Sequence, residues 1–291
     1  MAVTQQEKSD KMIYSELSDR LGNNLFQLGA AISITENVKI YIDKEEDYLS
    51  FLNYKYLFFE GFEVVRNLPK NIPTYNEIHF GYKPIPYNGS PIHLKGYFQS
   101  YKYLNRSKVI KQFSLNQTLI NAIHTSHPFL KKNDFTSIHV RRGDYLKVQY
   151  KHPFSGKNYY NKAVEFVGKD NFFIIVSDDI EWCKKNIKPK NVHYMSDSDP
   201  ITDFFIQTIS KNNIISNSSF SYWAAYINDS KNKVIAPSLW FGFRHNYNIS
   251  ELLPPEYDLI DNNYSIKSFT VAVLQFILHF IKYKIKNVIY L

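Results

Sequence analysis

Two adjacent arginines follow a short apolar segment and have the chemistry to hold a diphosphate. The segment, residues 134–140, is apolar and β-branched and ends at Arg141 and Arg142, which Gly143 follows. In open α/β sheets, ligands bind beside the carboxyl ends of the strands, and glycine permits a sharp turn there. Arginine keeps its charge and donates paired hydrogen bonds. The two side chains can therefore bind a pyrophosphate and stabilise the charge of a departing nucleotide.

The same residues allow two other interpretations. In one, they form a solvated basic turn in which Asp144 pairs with a neighbouring arginine. In the other, Arg142, Gly143 and Asp144 act as an adhesion tripeptide. Matches of three residues arise often by chance, and we expect no secretion of this chain because its first ten residues are polar.

A second polar cluster follows another apolar run. Residues 213–216 predict a buried strand, and Asn217, Ser218 and Ser219 stand between it and a helix expected over residues 220–227. Free N–H groups and the helix dipole attract anions to such a place, and the two hydroxyls add donors. The alternative is that the serines only cap the helix, as serines often do.

A third candidate is the turn that opens the chain's first predicted helix. It covers Arg20 to Gln27 and includes Gly22, which would let a ligand approach the backbone closely. The G-x-G-x-x-G spacing of dinucleotide-binding proteins is absent from it. An ordinary turn and helix start is the alternative.

No metal site is expected from the spacing of the metal-binding residue types. The nine histidines show no H-E-x-x-H pattern, and the pair Asp178 and Asp179 is equally compatible with a strand end and with a ligand set. Asp197 and Asp199 form a D-x-D pattern, which metal-dependent transferases use. It stands before Pro200, in an expected loop that leads into a helix, and metal binding there is the minor alternative.

Strands and helices alternate in the predicted order of elements, which indicates parallel sheets. Residues 68–91 are rich in proline, asparagine and glycine, and we expect no regular element there. The fold class is therefore α/β, with two Rossmann-like lobes facing a cleft and a boundary near residue 130. The expected strands are 12–17, 38–42, 134–140, 172–176, 213–216 and 234–236, and the expected helices are 24–35, 107–124, 159–167 and 220–227.

Composition limits the class of protein. The chain has 291 residues, a net charge of +8 and a single cysteine, Cys183. The charge favours an anionic partner, whereas one cysteine excludes an intrachain disulfide and favours a reducing, cytoplasmic environment. Scattered lysines and the lack of a helix-turn-helix, zinc or RNP motif argue against nucleic acid as a partner.

The C-terminal segment is apolar and then basic. Phe269 to Ile281 is almost continuously apolar, and Lys282, Lys284 and Lys286 follow it. About 20 apolar residues are needed to span a bilayer, so we interpret the run as too short to cross. Two hypotheses remain: a helix docked on the N-terminal lobe, or peripheral contact with the anionic inner face of the membrane.

Several segments, taken together and in their order along the chain, resemble the α-1,2-fucosyltransferase family, glycosyltransferase family 11. The most specific are His139 to Tyr145 and the run from Ser218 to Ala225. The resemblance implies a GT-B fold, GDP-β-L-fucose as co-substrate, no cofactor or metal, and inversion. The other matching segments are Arg20 to Gln27, Gly96 to Ser100, Phe173 to Asp179, Asp203 to Phe205 and Ile214 to Asn217.

The resemblance also implies roles for individual residues. Arg142 would hold the β-phosphate, while His139 and Asp203 would contact the guanine. Asn23 would approach the donor from the N-terminal lobe. From the facing loop, the phosphates and the nucleotide would be bound by Ser218, Ser219 and Phe220. Asn24 stands where the family usually has glutamine.

The expected reaction is transfer of L-fucose to the 2-hydroxyl of a β-galactoside, on an oligosaccharide or a lipid-linked glycan. Asp144 is the candidate base. Alternatively no base acts, and Arg141 and Arg142 neutralise GDP, whose departing oxygen takes the acceptor proton. Other hypotheses are a GDP-sugar transferase with another linkage and a non-catalytic glycan-binding protein. The expected domains are an acceptor-side lobe (1–130), a GDP-fucose-binding lobe (131–266) and a C-terminal helix (267–291).

Overall fold

The computed structural model describes residues 11–289, except 133, 246 and 248. The described residues form two compact units. The first contains residues up to 126 together with 249–255, and the second contains 127–247 and 256–289. Each unit has its own parallel sheet and its own helices, so the predicted α/β class with two Rossmann-like units is confirmed.

Five strands form the sheet of the first unit, as far as that unit is described. They are β1 (Ile13–Glu16), β2 (Val38–Tyr41), β3 (Val64–Val65), β4 (Thr74–Asn76) and β5 (Ile92–Lys95). Their order is β3-β2-β1-β5-β4, and every neighbouring pair is parallel. The central strand of this sheet, β1, is the first strand predicted from the sequence. Its residues alternate regularly between buried and partly exposed positions.

The helices of the first unit surround this sheet. The longest, which directly follows β1, is almost entirely buried because Leu25, Phe26, Leu28 and its alanines pack into the core. The helices are α1 (Leu21–Ile34), α2 (Glu45–Leu52), α3 (Lys55–Phe58), α4 (Arg106–Phe113) and α5 (Gln117–Ser126).

The sheet of the second unit has six strands within the described residues. They are β6 (Thr136–Val140), β7 (Phe172–Ser177), β8 (Asn191–Tyr194), β9 (Asn212–Ile214), β10 (Lys233–Pro237) and β11 (Asp258–Ile260). Their order is β11-β10-β9-β6-β7-β8, again all parallel. Residues 173–176 are all buried, as expected for a strand covered on both faces.

Helices of the second unit connect these strands. Tyr159, Tyr160 and Ala163 pack on the sheet residues Ile138 and Phe173 in the core of this unit. The helices are α6 (Lys157–Val167), α7 (Ile180–Asn186), α8 (Pro200–Ile209), α9 (Ser219–Ile227) and α10 (Ile266–Ile289).

Two predictions for the first unit were wrong. Residues 107–124 are not one helix, because the backbone of Ser114 is extended and the side chain of Asn116 accepts a hydrogen bond from the amide of Leu119, which starts α5 anew. The segment 68–91 does contain a regular element, β4. Its three residues add to the edge of the sheet through backbone pairing with β5.

The C-terminal helix also differs from its prediction. It runs from Ile266 to Ile289, longer than the apolar run, and its contacts are with the second unit, where residues 256–289 belong. Among the described residues, one 18-residue window, Ile266–Tyr283, is long and apolar enough to cross a bilayer, with a mean hydropathy of 1.2. The interpretation that this segment is too short to cross was therefore wrong by length and composition.

Candidate functional site

The register of two neighbouring strands brings the arginines to a pair of aspartates. Val140 is paired with Ser177, so the residues that follow each strand leave the same edge of the sheet together. Arg141 Nη1 lies 3.0 Å from Asp178 Oδ2. The same carboxylate accepts hydrogen bonds from the backbone N–H of Arg142 at 2.8 Å and of Gly143 at 3.1 Å. Asp178 therefore holds both the side chain and the backbone of the arginine loop.

Gly143 leaves room for this close approach. A Cβ atom at this position would lie 2.9 Å from Asp178 Oδ2, closer than real Cβ contacts. Sequence analysis assigned this glycine to a sharp turn. The structure adds that it makes room for the carboxylate that orders the loop.

Arg141 makes a second ion pair, with Asp144. Its Nη2 lies 2.7 Å from Asp144 Oδ1, and its guanidinium lies 5.6 Å from the ring centre of Tyr145. The pairing of Asp144 with an arginine, considered above as an alternative, is thus present. The side chain of Asp144 remains 46% exposed.

Arg142 lies in an aromatic and acidic cage. Its guanidinium is ion-paired with Asp179 and lies 5.3 Å from the ring centre of Phe154 and 5.1 Å from that of Trp182. In the described structure its Nε is buried without a hydrogen-bond partner. A buried N–H of this kind is costly unless an acceptor reaches it, and a phosphate oxygen is a suitable acceptor.

The second polar cluster adjoins the arginine loop. Tyr145 Oη donates to the carbonyl of Asn217 at 3.0 Å, and His139 Nδ1 lies 2.9 Å from Ser216 Oγ. Ser218 is the N-cap of α9, yet its side chain makes no capping hydrogen bond. The capping alternative therefore does not describe this hydroxyl.

The first turn of α9 supplies amide donors. Its first intrahelical hydrogen bond runs from Tyr222 N to Ser218 O, so the N–H groups of Ser219, Phe220 and Ser221 have no partner within the helix. Together with the helix dipole they make this turn suitable for an anion.

A row of aromatic rings lies beside this turn. Phe220 is 5.4 Å from the ring of His139 and 5.3 Å from that of Phe204. Burial, and then the charge of Arg141, lower the pKa of His139 to about 3. The imidazole is therefore neutral at pH 7 and can act as a hydrogen-bonding group, but not as a cation.

Asp203 lies in the first turn of α8, directly before Phe204. Its carboxylate accepts a hydrogen bond from Ser198 Oγ. Burial raises the pKa of Asp203 to about 7, against the effect of that hydrogen bond and with help from the charge of Asp199. This carboxyl changes charge near neutral pH, which is unusual for aspartate.

The D-x-D pattern has a structural role. Asp199 caps α8 by accepting hydrogen bonds from Ile201 N, Thr202 N and Thr202 Oγ1, at 2.8, 3.1 and 2.7 Å. Both of its oxygens are thus engaged with the helix start. In the residues that the structure describes, no group of three or more His, Cys, Asp or Glu side chains is arranged to hold a metal ion.

Asn23 belongs to a separate polar cluster in the first unit. Its Oδ1 accepts from Gln99 Nε2 at 2.9 Å, and Tyr97 Oη donates to Asp19 at 2.6 Å. Asn24 is buried and donates to the carbonyl of Ser18. The two segments that carried the resemblance in the first unit, 20–27 and 96–100, are thus in contact with each other, and Asn24 serves the turn itself.

The pairing of the aspartates with the arginines was not predicted from the sequence. Asp178 and Asp179 were equally compatible with a strand end and with a ligand set, and the sequence indicated no role for Phe154 or Trp182. The sequence did contain a signal for these ion pairs. Two aspartates directly follow one buried strand and two arginines directly follow another, and such residues can form ion pairs if the two strands are neighbours in the sheet. Only the strand order and register identify them as neighbours.

Two parallel α/β units, with arginines and a helix N-terminus at the carboxyl ends of the strands, define the GT-B class of glycosyltransferases. The chain belongs to glycosyl transferase family 11, whose family model matches residues 4–246. The resemblance on which the sequence analysis rested is confirmed, as is the GT-B fold.

Three relatives illustrate the family. The O-antigen biosynthesis glycosyltransferase WbnK of Escherichia coli is 30% identical over 165 residues, 51% of this chain and 55% of that protein. The α-1,2-colitosyltransferase of Escherichia coli is 30% identical over 50% of this chain and 55% of its own. The galactoside 2-α-L-fucosyltransferase SEC1 of Bos taurus is 25% identical, over 50% and 44%. The chain thus matches about half the length of these relatives.

Solved structures show the same fold. The α-1,6-fucosyltransferase NodZ soaked with GDP-fucose superimposes with a TM-score of 0.51 at 12% identity, covering 79% of this chain and 96% of that one. The selenomethionine form of NodZ from Bradyrhizobium gives a TM-score of 0.52 at 11% identity, over 79% and 95%.

Proposed function

We propose that this protein transfers L-fucose from GDP-β-L-fucose to the 2-hydroxyl of a β-galactoside, with inversion and without a metal ion. The observation that carries the proposal is the arginine loop. Arg141 and Arg142 are held by aspartates at the strand ends of the second sheet, and Arg142 keeps a buried Nε donor without a partner. The fucosyltransferases among the relatives support the choice of donor sugar.

The donor would lie along the strand ends of the second unit. Its diphosphate would take hydrogen bonds from Arg142 and from the first turn of α9, with Ser218 and Ser219 adding hydroxyl donors. Its guanine would lie by Phe220 and His139, and Asp203 in its ionised form would accept from the guanine N–H groups.

The reaction follows from where charge develops. The bond from fucose C1 to the β-phosphate oxygen breaks and its electron pair leaves with GDP, while the acceptor 2-oxygen attacks C1 from the opposite face. The α-fucoside forms, and the hydroxyl proton leaves. Arg141 and Arg142 stabilise the charge that grows on GDP, and this stabilisation is the larger part of the catalysis that we assign to the chain.

The proton has two routes. Asp144 can accept it as a general base, since its side chain is 46% exposed. Alternatively the departing phosphate oxygen takes it, which the ion pair of Asp144 with Arg141 favours because that pair already engages a carboxylate oxygen. Substitution Asp144→Asn separates the routes: loss of about 10²-fold or more in kcat indicates a base, and a smaller loss indicates the phosphate.

Incubation with GDP-fucose and a panel of β-galactosides tests the proposal, with the linkage of each product assigned by NMR. We expect an α-1,2-linked fucoside and stoichiometric GDP. GDP-linked colitose belongs in the donor panel, because one relative is an α-1,2-colitosyltransferase. A different linkage would contradict the acceptor assignment, and a protein that binds the glycans without releasing GDP would contradict the enzyme assignment.

A further inference from the structure

The C-terminal helix α10 has one face docked on the second unit. Near its middle, Gln275 Nε2 donates to the carbonyl of Leu146 at 2.6 Å and Gln275 Oε1 accepts from the amide of Gln149 at 2.9 Å. One residue further, Phe276 lies 5.8 Å from the ring of Tyr150 and 5.9 Å from that of Phe243. Polar and aromatic contacts together therefore hold this face.

The opposite face of α10 is apolar and faces solvent. Leu274, Ile277, Leu278 and Ile281 follow the i, i+3, i+4, i+7 spacing of one helical stripe, and they are 55%, 46%, 58% and 46% exposed. Phe280 beside them is 51% exposed. A contiguous apolar stripe of this size is uncommon on a monomer surface unless something covers it.

The charges around the stripe point to what covers it. No aspartate or glutamate occurs after Asp261, whereas lysines stand at both ends of the apolar stretch, at 267 and at 282, 284 and 286. Apolar side chains that enter the acyl boundary and lysines that reach the headgroups are typical of helices that lie on anionic membranes.

We propose that α10 lies in the headgroup region of an anionic membrane, with the stripe Leu274, Ile277, Leu278 and Ile281 facing the lipid and Gln275 keeping the helix on the second unit. A lipid surface complements the stripe and the lysines at once. A second copy of the helix would complement the stripe only, because it would bring lysines against lysines without any acidic residue between them.

Spanning the bilayer is disfavoured although the helix is long enough. To span, α10 would have to leave the second unit. That would strip the carbonyl of Leu146 and the amide of Gln149 of their partner and uncover Phe243 and Tyr150.

The docked face also joins the membrane helix to the arginine loop. Leu146, which bonds to Gln275, donates its own N–H to the carbonyl of Arg142 at 3.0 Å. The membrane would thus hold the loop at a defined height above its surface.

Co-sedimentation of the full chain with vesicles tests the proposal. One set of vesicles contains phosphatidylcholine alone and the other contains phosphatidylcholine with phosphatidylglycerol. We expect binding to the anionic vesicles that weakens with salt. The variant Leu274→Ser with Leu278→Ser should lose about tenfold in affinity for each leucine removed from lipid contact. The matched control Leu49→Ser with Ile78→Ser removes exposed apolar side chains from the first unit and should bind as the wild type does.

The lysines are tested separately by Lys282→Gln, Lys284→Gln and Lys286→Gln in one chain. We expect about fivefold weaker binding per lysine on anionic vesicles at low salt, and no change on neutral vesicles. A wild-type chain that stays in the supernatant, or a leucine variant that binds as tightly as the wild type, would overturn the proposal.

Two further measurements separate the other occupants of the stripe. A wild-type dimer in light scattering that the leucine variant dissociates would assign the stripe to a protein interface instead. Resistance of the membrane-bound chain to extraction by alkaline carbonate would indicate a spanning helix. We expect light scattering to give the mass of a monomer for both the wild type and the leucine variant. We also expect alkaline carbonate to extract the membrane-bound chain completely.

Discussion

Arg142 combines features that a lysine cannot reproduce. Its planar guanidinium packs against Phe154 and Trp182, pairs with Asp179, and retains a buried Nε donor without a partner. The aromatic rings and the carboxylate fix its orientation before any ligand arrives, so little conformational entropy remains to be lost on binding.

Substitution Arg142→Lys should therefore reduce kcat/KM for GDP-fucose by about 10²–10³-fold while the protein stays folded. Steady-state kinetics and circular dichroism measure the two effects. Arg66→Lys is the matched control, because Arg66 pairs with Glu45 on the first unit and should tolerate the change. Wild-type activity in a folded Arg142→Lys protein would contradict the assignment of Arg142 to the donor-binding site.

We expect Asp203 to make donor binding dependent on pH. Because burial raises its pKa to about 7, the carboxyl of the free protein is protonated below pH 7 and ionised above it. Accepting hydrogen bonds from guanine requires the ionised form, so affinity should rise with pH. His139 adds nothing in this range, since its pKa is about 3.

GDP-fucose should bind about tenfold more weakly at pH 6 than at pH 8, as expected when binding requires the ionised form of one group whose pKa is about 7. GDP-fucose is the suitable ligand for titration calorimetry because its diphosphate diester does not titrate near pH 7. Asp203→Asn should weaken binding at pH 8 and abolish the pH dependence. A slope that persists in Asp203→Asn would show that another group is responsible.

At the scale of elements, the alignment of β6 with β7 determines the geometry of the site. Val140 pairs with Ser177, so the residues that follow them, Arg141 and Asp178, lie side by side at the edge of the sheet and form an ion pair. We regard Asp178 as a positioning residue, since it acts through the arginine loop.

Asp178→Asn should lower kcat by about tenfold or more, because it removes a charged hydrogen bond from Arg141, and it should change the KM for the acceptor little. Separate kcat and KM measurements distinguish this from general unfolding, which lowers only the active fraction. Asp134→Asn is the matched control, since Asp134 pairs with Lys211 on the surface. Equal effects of the two substitutions would contradict a positioning role.

At the scale of the whole molecule, we propose that positive charge takes the place that a metal ion has in metal-dependent transferases. The chain carries a net charge of +8, and two arginines and one helix N-terminus meet at the strand ends of the second unit. Asp199, the strongest metal candidate from sequence, is occupied as a helix cap.

EDTA should therefore leave the turnover rate nearly unchanged, and added Mg²⁺ or Mn²⁺ should only modulate it. Initial rates with and without chelator measure this, with a Mn²⁺-dependent glycosyltransferase treated in parallel to show that chelation was effective. Complete inhibition by EDTA that an added metal ion reverses would contradict this prediction and would favour a metal site at Asp197 and Asp199.

Much of the fold follows from local sequence. The strands β6, β7 and β10 contain short apolar runs bounded by turn residues, and β1 alternates buried and partly exposed residues. Both patterns can be recognised without knowing the neighbouring strands. For the same reason, the positions of the arginine loop and of the cluster after β9 could be predicted. The short strands β3, β4, β8 and β11 could not, because hydrogen bonds from an adjacent strand define them more than their own residues do.

The residues of the candidate site were named from sequence and resemblance, but their arrangement was decided by tertiary structure. Sequence alone determined that Arg141 and Arg142 end a buried strand, since apolar runs and glycine turns are local properties. That Asp178 and Asp179 hold them depends on the register between β6 and β7, which no local pattern specifies. Which face of α10 docks depends likewise on the partners of Gln275, because both faces of that helix are apolar and only packing separates them.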